Sequence, residues 1–182
     1  MKTVIAIVGM PGSGKSEAAN FFKEKGFPVL RLGAVIEEGI QEEGLSQTPE
    51  NEEYYRQKIR KEFGQDAVAK KILPKALQAL ENSKLVILDG LYSWEEYIFL
   101  KNHIEKLVLL CIYASPAVRY QRLVSRKERM FDEEDAKKRD MNEIETLNKG
   151  GPIAMADYLI HNETTKEDLQ KALETFFSNT SV

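Results

Sequence analysis

The sequence predicts an α/β fold in which helices cover both faces of a mainly parallel sheet. Three short apolar runs rich in β-branched residues, at residues 2–8, 84–88 and 106–113, have the length and the turn boundaries of strands. Predicted helices separate these runs, and strands that alternate with helices typically pair in parallel through right-handed crossovers. Each run is continuously apolar rather than alternating, which indicates a sheet buried on both faces.

The remaining elements follow in chain order around these strands. Weaker strand candidates lie at residues 28–31 and 157–161. Helical sequence occupies residues 14–25, 34–82, 94–102, 116–126, 132–148 and 166–178. The last helix has the clearest start, because Thr164 or Thr165 can cap it and acidic residues follow in its first turn. Residues 148–151, Asn-Lys-Gly-Gly, are typical of a helix C-cap and turn.

Length and composition narrow the class of protein. The 182 residues correspond to one domain at about 150 residues per domain. A balance of 26 basic and 29 acidic residues gives a net charge of −3, which argues against stable nucleic-acid binding. The single cysteine, Cys111, excludes an internal disulfide, and His103 and His161 do not complete a zinc cluster. No segment reaches the roughly 20 apolar residues of a membrane span. We expect a cytoplasmic protein, either a monomer or a homo-oligomer.

Two regions depart from plain alternation of strands and helices. Residues 34–82 place nearly fifty positions of helical sequence between the second and third predicted strands, and residues 126–149 are charged and weakly apolar. Both are typical of flaps that cover a site, and both are also compatible with a solvated helical surface.

A glycine-rich motif between the first strand and the first helix carries the strongest functional signal. It matches G-x-x-x-x-G-K-[ST] without a gap and consists of Gly9, Met10, Pro11, Gly12, Ser13, Gly14, Lys15 and Ser16. Its glycines allow successive backbone N–H groups to converge on phosphate oxygens, and the helix that follows adds its positive end. Lys15 is positioned for the β- and γ-phosphates and Ser16 for Mg²⁺. The motif predicts ATP or GTP as a ligand.

A second signal follows the strand at residues 84–88, where Asp89 and Gly90 end an apolar run. In a doubly wound sheet, ligands lie at the carboxyl ends of the strands, so Asp89 should share a crevice with Lys15. Its carboxylate could hold Mg²⁺ through water or accept a proton from a phosphoryl acceptor. The alternative is that Asp89 and Gly90 form an ordinary turn with no role in binding or catalysis.

Taken together, the motifs resemble those of the P-loop nucleotide and nucleoside-monophosphate kinases. The residues that carry the resemblance are Gly9 to Ser16, Leu88-Asp89-Gly90, Ala114-Ser115-Pro116 before an arginine-rich helix, and Ala156-Asp157-Tyr158-Leu159-Ile160. Among these kinases the chain most resembles adenylate-kinase-related archaeal proteins, which are also similar to dephospho-coenzyme A kinases. The resemblance covers nearly the whole chain.

The resemblance implies a three-layer αβα sandwich with a five-stranded parallel sheet. It also implies a helical substrate flap at about residues 33–82 and an arginine-bearing lid at about residues 126–149. On the acceptor side it points to Arg31, Gly33, Arg60 and Gly90.

The helix that follows the fourth strand carries Arg119, Arg122, Arg126 and, just beyond, Arg129. Arg122 and Arg126 form an i, i+4 pair, and lid arginines of this kind stabilise the charge of a transferring phosphoryl group. We therefore predict a catalytic set of Lys15, Asp89, Arg122 and Arg126, with Arg139 as a further lid cation.

The chain departs from these relatives on the acceptor side. Ala34 stands where the relatives carry Asp, and Glu37 and Tyr92 stand where they carry Arg. Three hypotheses follow. The first is a Mg²⁺-dependent ATP:nucleoside-monophosphate kinase, and the second is a dephospho-coenzyme A kinase. The third, from another class, is an ATPase switch or assembly factor with a decayed acceptor site.

Overall fold

The sheet is five-stranded, parallel throughout and ordered β2-β3-β1-β4-β5. The computed structural model describes residues 2–125 and 132–180. The strands are β1 (Thr3–Val8), β2 (Val29–Arg31), β3 (Leu85–Asp89), β4 (Leu107–Tyr113) and β5 (Tyr158–His161). The predicted fold class is confirmed, and all five strand candidates form strands.

The helices keep the predicted order, with one region subdivided and one short helix added before β5. They are α1 (Lys15–Glu24), α2 (Leu32–Glu42), α3 (Pro49–Phe63), α4 (Ala67–Asn82), α5 (Trp94–His103), α6 (Pro116–Val124), α7 (Glu133–Glu145), α8 (Gly150–Ala154) and α9 (Lys166–Asn179). The long helical region at 34–82 is three helices rather than one, because Gly44 and Gly64 adopt positive φ angles of 70° and 96°. None of the helices within the described ranges is long and apolar enough to cross a membrane.

Two apolar clusters, one on each face of the sheet, form the core. Side chains of β1 alternate between them, because successive residues of a strand point to opposite faces. Val4, Ala6 and Val8 pack with α2 to α5. Ile5 and Ile7 pack with α1 and α9. This arrangement is the expected three-layer sandwich.

The register of the central strands brings the site together. Asp89, the last residue of β3, pairs with Ile7 of β1 on one side and with Arg31 of β2 on the other. The glycine-rich loop leaves β1 two residues after Ile7. The loop, Asp89 and Arg31 therefore meet at the carboxyl edge of the sheet.

The expectation of a helix C-cap and turn at residues 148–151 is wrong in part. α7 already ends at Glu145, and Asn148 turns the chain with a φ of 50°. The next residues begin α8, and the Lys149 side chain is buried with 1% of its surface exposed. Its ammonium pairs with Glu143 of α7. An ion pair between two buried residues, rather than a solvated turn, fixes the chain here.

Candidate active site

The glycine-rich loop is a tight backbone turn in which a Cβ atom in place of a glycine hydrogen would clash with neighbouring atoms. Gly14, the N-cap of α1, has a φ of 103°, and a Cβ on it would lie 2.3 Å from Nδ2 of Asn162. A Cβ on Gly12 would lie 2.7 Å from the Arg119 carbonyl oxygen. Ser13 is buried, and its Oγ has no hydrogen-bond partner within the described protein. A cradle closed to side chains, with an unsatisfied hydroxyl, fits the polyphosphate of a nucleotide.

Two side chains from outside the motif hold the loop from behind. Asn162, just after β5, donates from Nδ2 to the Ser13 carbonyl at 2.8 Å. Arg119 of α6 donates from Nη1 to the Pro11 carbonyl at 3.1 Å and from Nε to the Ala114 carbonyl at 3.0 Å. The carbonyls of Pro11 and Ser13 therefore already have hydrogen-bond partners within the protein.

Lys15 and Asp89 share the floor of the site. Burial, followed by the positive charge of Lys149, lowers the pKa of the Lys15 ammonium to about 7, against the opposing effects of Glu143 and Asp89. Lys15 donates to the Met10 carbonyl at 3.1 Å. Burial also raises the pKa of the Asp89 carboxyl, although Lys15 and Arg31 oppose this. Two groups whose pKa values move toward neutrality in one crevice are typical of an active site.

A single cavity of about 1820 Å³ runs from the loop to the flap helices and to α7. On the loop side it is lined by Pro11, Gly12, Gly14, Lys15, Ser16, Asp89 and Gly90. On the flap side it is lined by Arg31, Gly33, Ile36, Glu37, Glu52, Glu53, Arg56, Gln57, Arg60, Lys61 and Gln65. On the side of α6 and α7 it is lined by Leu123, Lys138, Arg139, Asn142, Glu143, Thr146 and Leu147. Five of the eight predicted loop residues, together with Asp89 and the four predicted acceptor-side residues, therefore line one space.

The acceptor-side cations are paired with carboxylates. Arg31 forms an ion pair with Glu37, so the carboxylate that departs from the relatives' pattern partly neutralises a predicted substrate-binding arginine. Arg60 of α3 is mostly buried, and its Nη2 lies 3.8 Å from Oε1 of Glu96. Nε of Arg60 and Oε1 of Glu96 are both buried without a hydrogen bond in the described protein. An anion that bound to Arg31 or Arg60 would therefore have to compete with the carboxylate of Glu37 or Glu96.

The structure does not bring all predicted lid arginines to the cavity. Arg122 donates from Nη2 to the Thr164 carbonyl at 3.3 Å and is not among the residues that line the cavity. Arg126 lies outside the described residues. Arg119 is buried in a two-bond ion pair with Asp140 of α7, at 2.9 and 2.6 Å, and serves the loop rather than the cavity. Arg139 does line the cavity.

Sequence reasoning missed a group of buried polar residues around the site: Glu96, Asp140, Glu143, Lys149 and Asn162. Each is of a type common on protein surfaces, and only Lys149 lies in a short motif discussed above, the predicted turn at residues 148–151. Their partners are distant in the sequence, as with Asn162 and Ser13. One local signal did exist, because Ser93 and Glu96 form the capping box of α5.

Comparison with known proteins identifies the family of this chain. A family model described as an AAA domain matches residues 5–148. The UPF0200 protein of Thermococcus gammatolerans is 35% identical over 176 residues, which cover 94% of this chain and 92% of that protein. The UPF0200 protein of Sulfurisphaera tokodaii is 34% identical over 173 residues, which cover 94% and 93%. The chain belongs to the UPF0200 family. Its AAA domain match spans the glycine-rich loop, Asp89 and α7.

Solved structures, among them two small-molecule kinases, share the fold of this UPF0200 member. Shikimate kinase from Acinetobacter baumannii, solved in complex with shikimate, aligns with a TM-score of 0.62 at 18% identity over 98% of this chain and 95% of that one. A gluconokinase from Sinorhizobium meliloti aligns with a TM-score of 0.52 at 14% identity over 98% and 95%. TT1252 from Thermus thermophilus aligns with a TM-score of 0.60 at 22% identity over 97% of both chains. The fold is that of the P-loop kinases, which include enzymes that act on small molecules.

Proposed function

We propose that the protein is a Mg²⁺-dependent kinase that transfers the γ-phosphoryl group of ATP to a small acceptor, with a nucleoside monophosphate as the leading candidate. The observation that carries the proposal is the continuity of the cavity. The glycine-rich loop and the cation-bearing flap wall face one space of about 1820 Å³. Pockets for one small ligand typically measure about 300–1,000 Å³, so this space suits a donor and an acceptor together.

Residues of the chain would divide the work of transfer between them. The loop amides and Lys15 would hold the donor polyphosphate, while Ser16 and, through water, Asp89 would hold Mg²⁺. When bound, Mg²⁺ would neutralise charge on the phosphates. Asp89, with its raised pKa, is suited to take the proton that the acceptor oxygen loses as it bonds to the phosphoryl group. Catalysis would then consist of positioning and charge neutralisation.

Lid cations would complete the site. Arg126 remains a proposal from the sequence, and Arg139 joins it because its side chain lines the cavity. Arg122 would have to leave the Thr164 carbonyl before it could reach a phosphoryl group, so we assign it a smaller part. Closure of such groups over the donor also excludes water, which would otherwise accept the phosphoryl group.

The acceptor candidates differ in the anion that they present. Arg31, Arg60 and Lys61 line the flap wall and support an acceptor with a compact anionic group, such as the phosphate of a nucleoside monophosphate. Dephospho-coenzyme A, whose accepting atom is a ribose hydroxyl, also carries phosphate groups and remains the alternative of the same class.

One observation favours the ATPase alternative. The predicted acceptor-binding Arg31 is paired with Glu37, and Arg56 is paired with Glu53 at 2.7 Å, which weakens the attraction of this wall for a dianion. A site of this kind would hydrolyse ATP slowly and respond to a partner protein or RNA instead of a small acceptor.

A panel assay separates these proposals. Purified protein with saturating ATP and Mg²⁺ is offered each common nucleoside monophosphate and dephospho-coenzyme A, and phosphorylated products are identified by mass spectrometry. The kinase proposal predicts one preferred product, absent with Lys15→Met. Arg60→Ala should raise the KM for the acceptor and leave the KM for ATP unchanged. ATP hydrolysis without any phosphorylated acceptor would contradict the kinase proposal and support the ATPase alternative.

A further inference from the structure

Lys149 is a buried charge that the proposed chemistry does not use. It lies between α7 and α8 with 1% of its surface exposed, and it is not among the residues that line the cavity. Its ammonium pairs with Oε2 of Glu143 and lies 4.8 Å from the centre of the Tyr92 ring. Its backbone N–H also donates to the Glu143 carbonyl at 3.2 Å. One lysine is thus held to the same glutamate by its main chain and its side chain.

Glu143 bonds both to Lys149 and to Arg139, which lines the cavity. Its Oε1 accepts a hydrogen bond from Nε of Arg139 at 3.2 Å, while its Oε2 is held by Lys149. Glu143 and Arg139 both line the cavity that also contains Lys15 and Asp89. The two ends of one carboxylate therefore connect a buried lysine to an arginine at the site.

Tyr92 connects the same lysine to the loop that follows β3. Its ring packs over Gly90, where a Cβ would lie 3.3 Å from the ring atom Cε2. Its backbone N–H donates to Oε2 of Glu96 at 2.9 Å. Because Tyr92 is fixed at both points, Lys149 joins α7 to the segment that carries Asp89.

Stability alone gives a weak reason for such an arrangement. The desolvation of two buried charges commonly cancels their attraction, and apolar residues of the same volume often stabilise a protein as well or better. What a buried ion pair can supply is a fixed direction for the groups bonded to it. In this protein, the group whose orientation the ion pair can fix is the guanidinium of Arg139, which bonds to Glu143.

We propose that Lys149 is a positioning residue for phosphoryl transfer, which holds Glu143 and, through Glu143, directs Arg139 toward the site formed by Lys15 and Asp89. This proposal rests on the kinase function proposed above. Lys149 itself touches neither substrate. Its positioning effect passes through Arg139, whereas its effect on the pKa of Lys15 is direct. The two are separated at about pH 6, below the Lys15 pKa of about 7, where Lys15 is mostly charged with or without Lys149.

A double-mutant cycle on kcat tests that dependence. At about pH 6, where Lys15 is mostly charged in both proteins, Lys149→Met should lower kcat by about tenfold to a hundredfold. The KM for ATP should stay within about twofold, because orientation and not donor binding is lost. In an Arg139→Gln background the same substitution should change kcat by less than about twofold. Additive losses in the two backgrounds would overturn the proposal. The control is Lys137→Met, which removes an exposed ion pair with Glu133 on the same helix and should leave kcat unchanged.

A second measurement uses the protein without substrates. The Nε–H group of Arg139 should give a rigid ¹⁵N relaxation signature in the wild type and a mobile one in Lys149→Met. A mobile group in the wild type would overturn the proposal even where the variant fails to fold. A variant that melts at a lower temperature but keeps both Arg139 rigidity and kcat would assign Lys149 a purely structural role. If the wild type transferred no phosphoryl group but Lys149→Met still made the Nε–H group of Arg139 mobile, the kinase function would be rejected. The contact by which Lys149 positions Arg139 would be retained.

Discussion

Lys15 lies among charges of both signs, and its protonation depends on what occupies the site. Burial and the positive charge of Lys149 lower its pKa to about 7 when no ligand is bound. A polyphosphate beside the ammonium would favour the charged form and raise this pKa again. Lys15 should therefore take up a proton when a polyphosphate binds.

We predict that ATP binding takes up a proton and weakens as the pH rises. At about pH 6 the free protein already carries a charged Lys15, whereas at about pH 8.5 most Lys15 is neutral and must be protonated on binding. Titration calorimetry at about pH 8 in two buffers of different ionisation enthalpy measures this uptake directly. Identical heats in both buffers, or an affinity that does not change between these pH values, would contradict the assignment of Lys15 to the polyphosphate.

Arg119 gives a second prediction, on stability. Replacement of Arg119 by Met leaves Asp140 buried without its cation, which typically costs about 3–5 kcal/mol of unfolding free energy. Arg119→Met/Asp140→Leu should recover part of this loss, because neither charge of this buried pair remains. Lys137→Met serves as the control, since its ion pair is exposed and should contribute less than about 1 kcal/mol. Urea unfolding measures the free energy of unfolding of all three variants. If Arg119→Met alone were as stable as the wild type, Asp140 would not be buried as described.

Residue roles could be predicted from the sequence where one local motif contains them. Gly9 to Ser16 are contiguous, and each residue type has a reason in phosphate binding, so the loop could be assigned at once. Lys149 could not, because its burial depends on Glu143 and Tyr92, which only the fold brings together. Arg119 was recognised as a cation after β4, but the sequence gives no sign that Asp140 neutralises it.

The flap helices pack so closely that a glycine inside α2 is required. A Cβ on Gly39 would lie 1.9 Å from Cζ of Tyr55 on α3. In an isolated helix Ala is more favourable than Gly by about 1 kcal/mol, but overpacking of a tight contact costs about 1–3 kcal/mol. The second effect should win at this position.

We therefore predict that Gly39→Ala destabilises the protein by up to about 2 kcal/mol, as the difference between these two effects. Gly33→Ala, in the first turn of the same helix, meets only the Arg31 side chain at 3.9 Å and should leave stability equal or slightly higher. Thermal unfolding of the two variants compares the same substitution in the same element. Equal melting temperatures for both would show that α2 and α3 are not in contact at Tyr55.

Among the elements, the strands could be predicted because their signal is local: a short run of buried β-branched residues needs few partners to be recognised. The subdivision of the flap depended on Gly44 and Gly64, whose positive φ angles end helices. α8 was missed because its sequence, Gly-Gly-Pro-Ile-Ala, has poor helix propensity. Contact of Gly151 with Trp94 of α5 holds it instead, since a Cβ there would lie 2.6 Å from the indole.

At the scale of the molecule, the order of the strands brings the loop, Asp89 and the flap to one edge of the sheet. The cavity at this edge measures about 1820 Å³, and it is lined both by loop residues predicted to bind the donor and by flap residues predicted to bind the acceptor. The resemblance to nucleotide kinases anticipated this plan. It could not supply the carboxylates that accompany Arg31, Arg56 and Arg60, since their pairing is particular to this chain.

On the proposed function, donor and acceptor occupy this cavity together. Calorimetric titration with a bisubstrate compound, two adenosines joined by five phosphates, measures whether they do. We predict one molecule bound per chain, with an affinity at least about tenfold above that of ATP, equivalent to about 1.4 kcal/mol. Arg60→Ala should reduce this affinity to that of ATP, and Lys15→Met should abolish binding. Two independent molecules per chain, or an affinity equal to that of ATP and insensitive to Arg60→Ala, would contradict the claim.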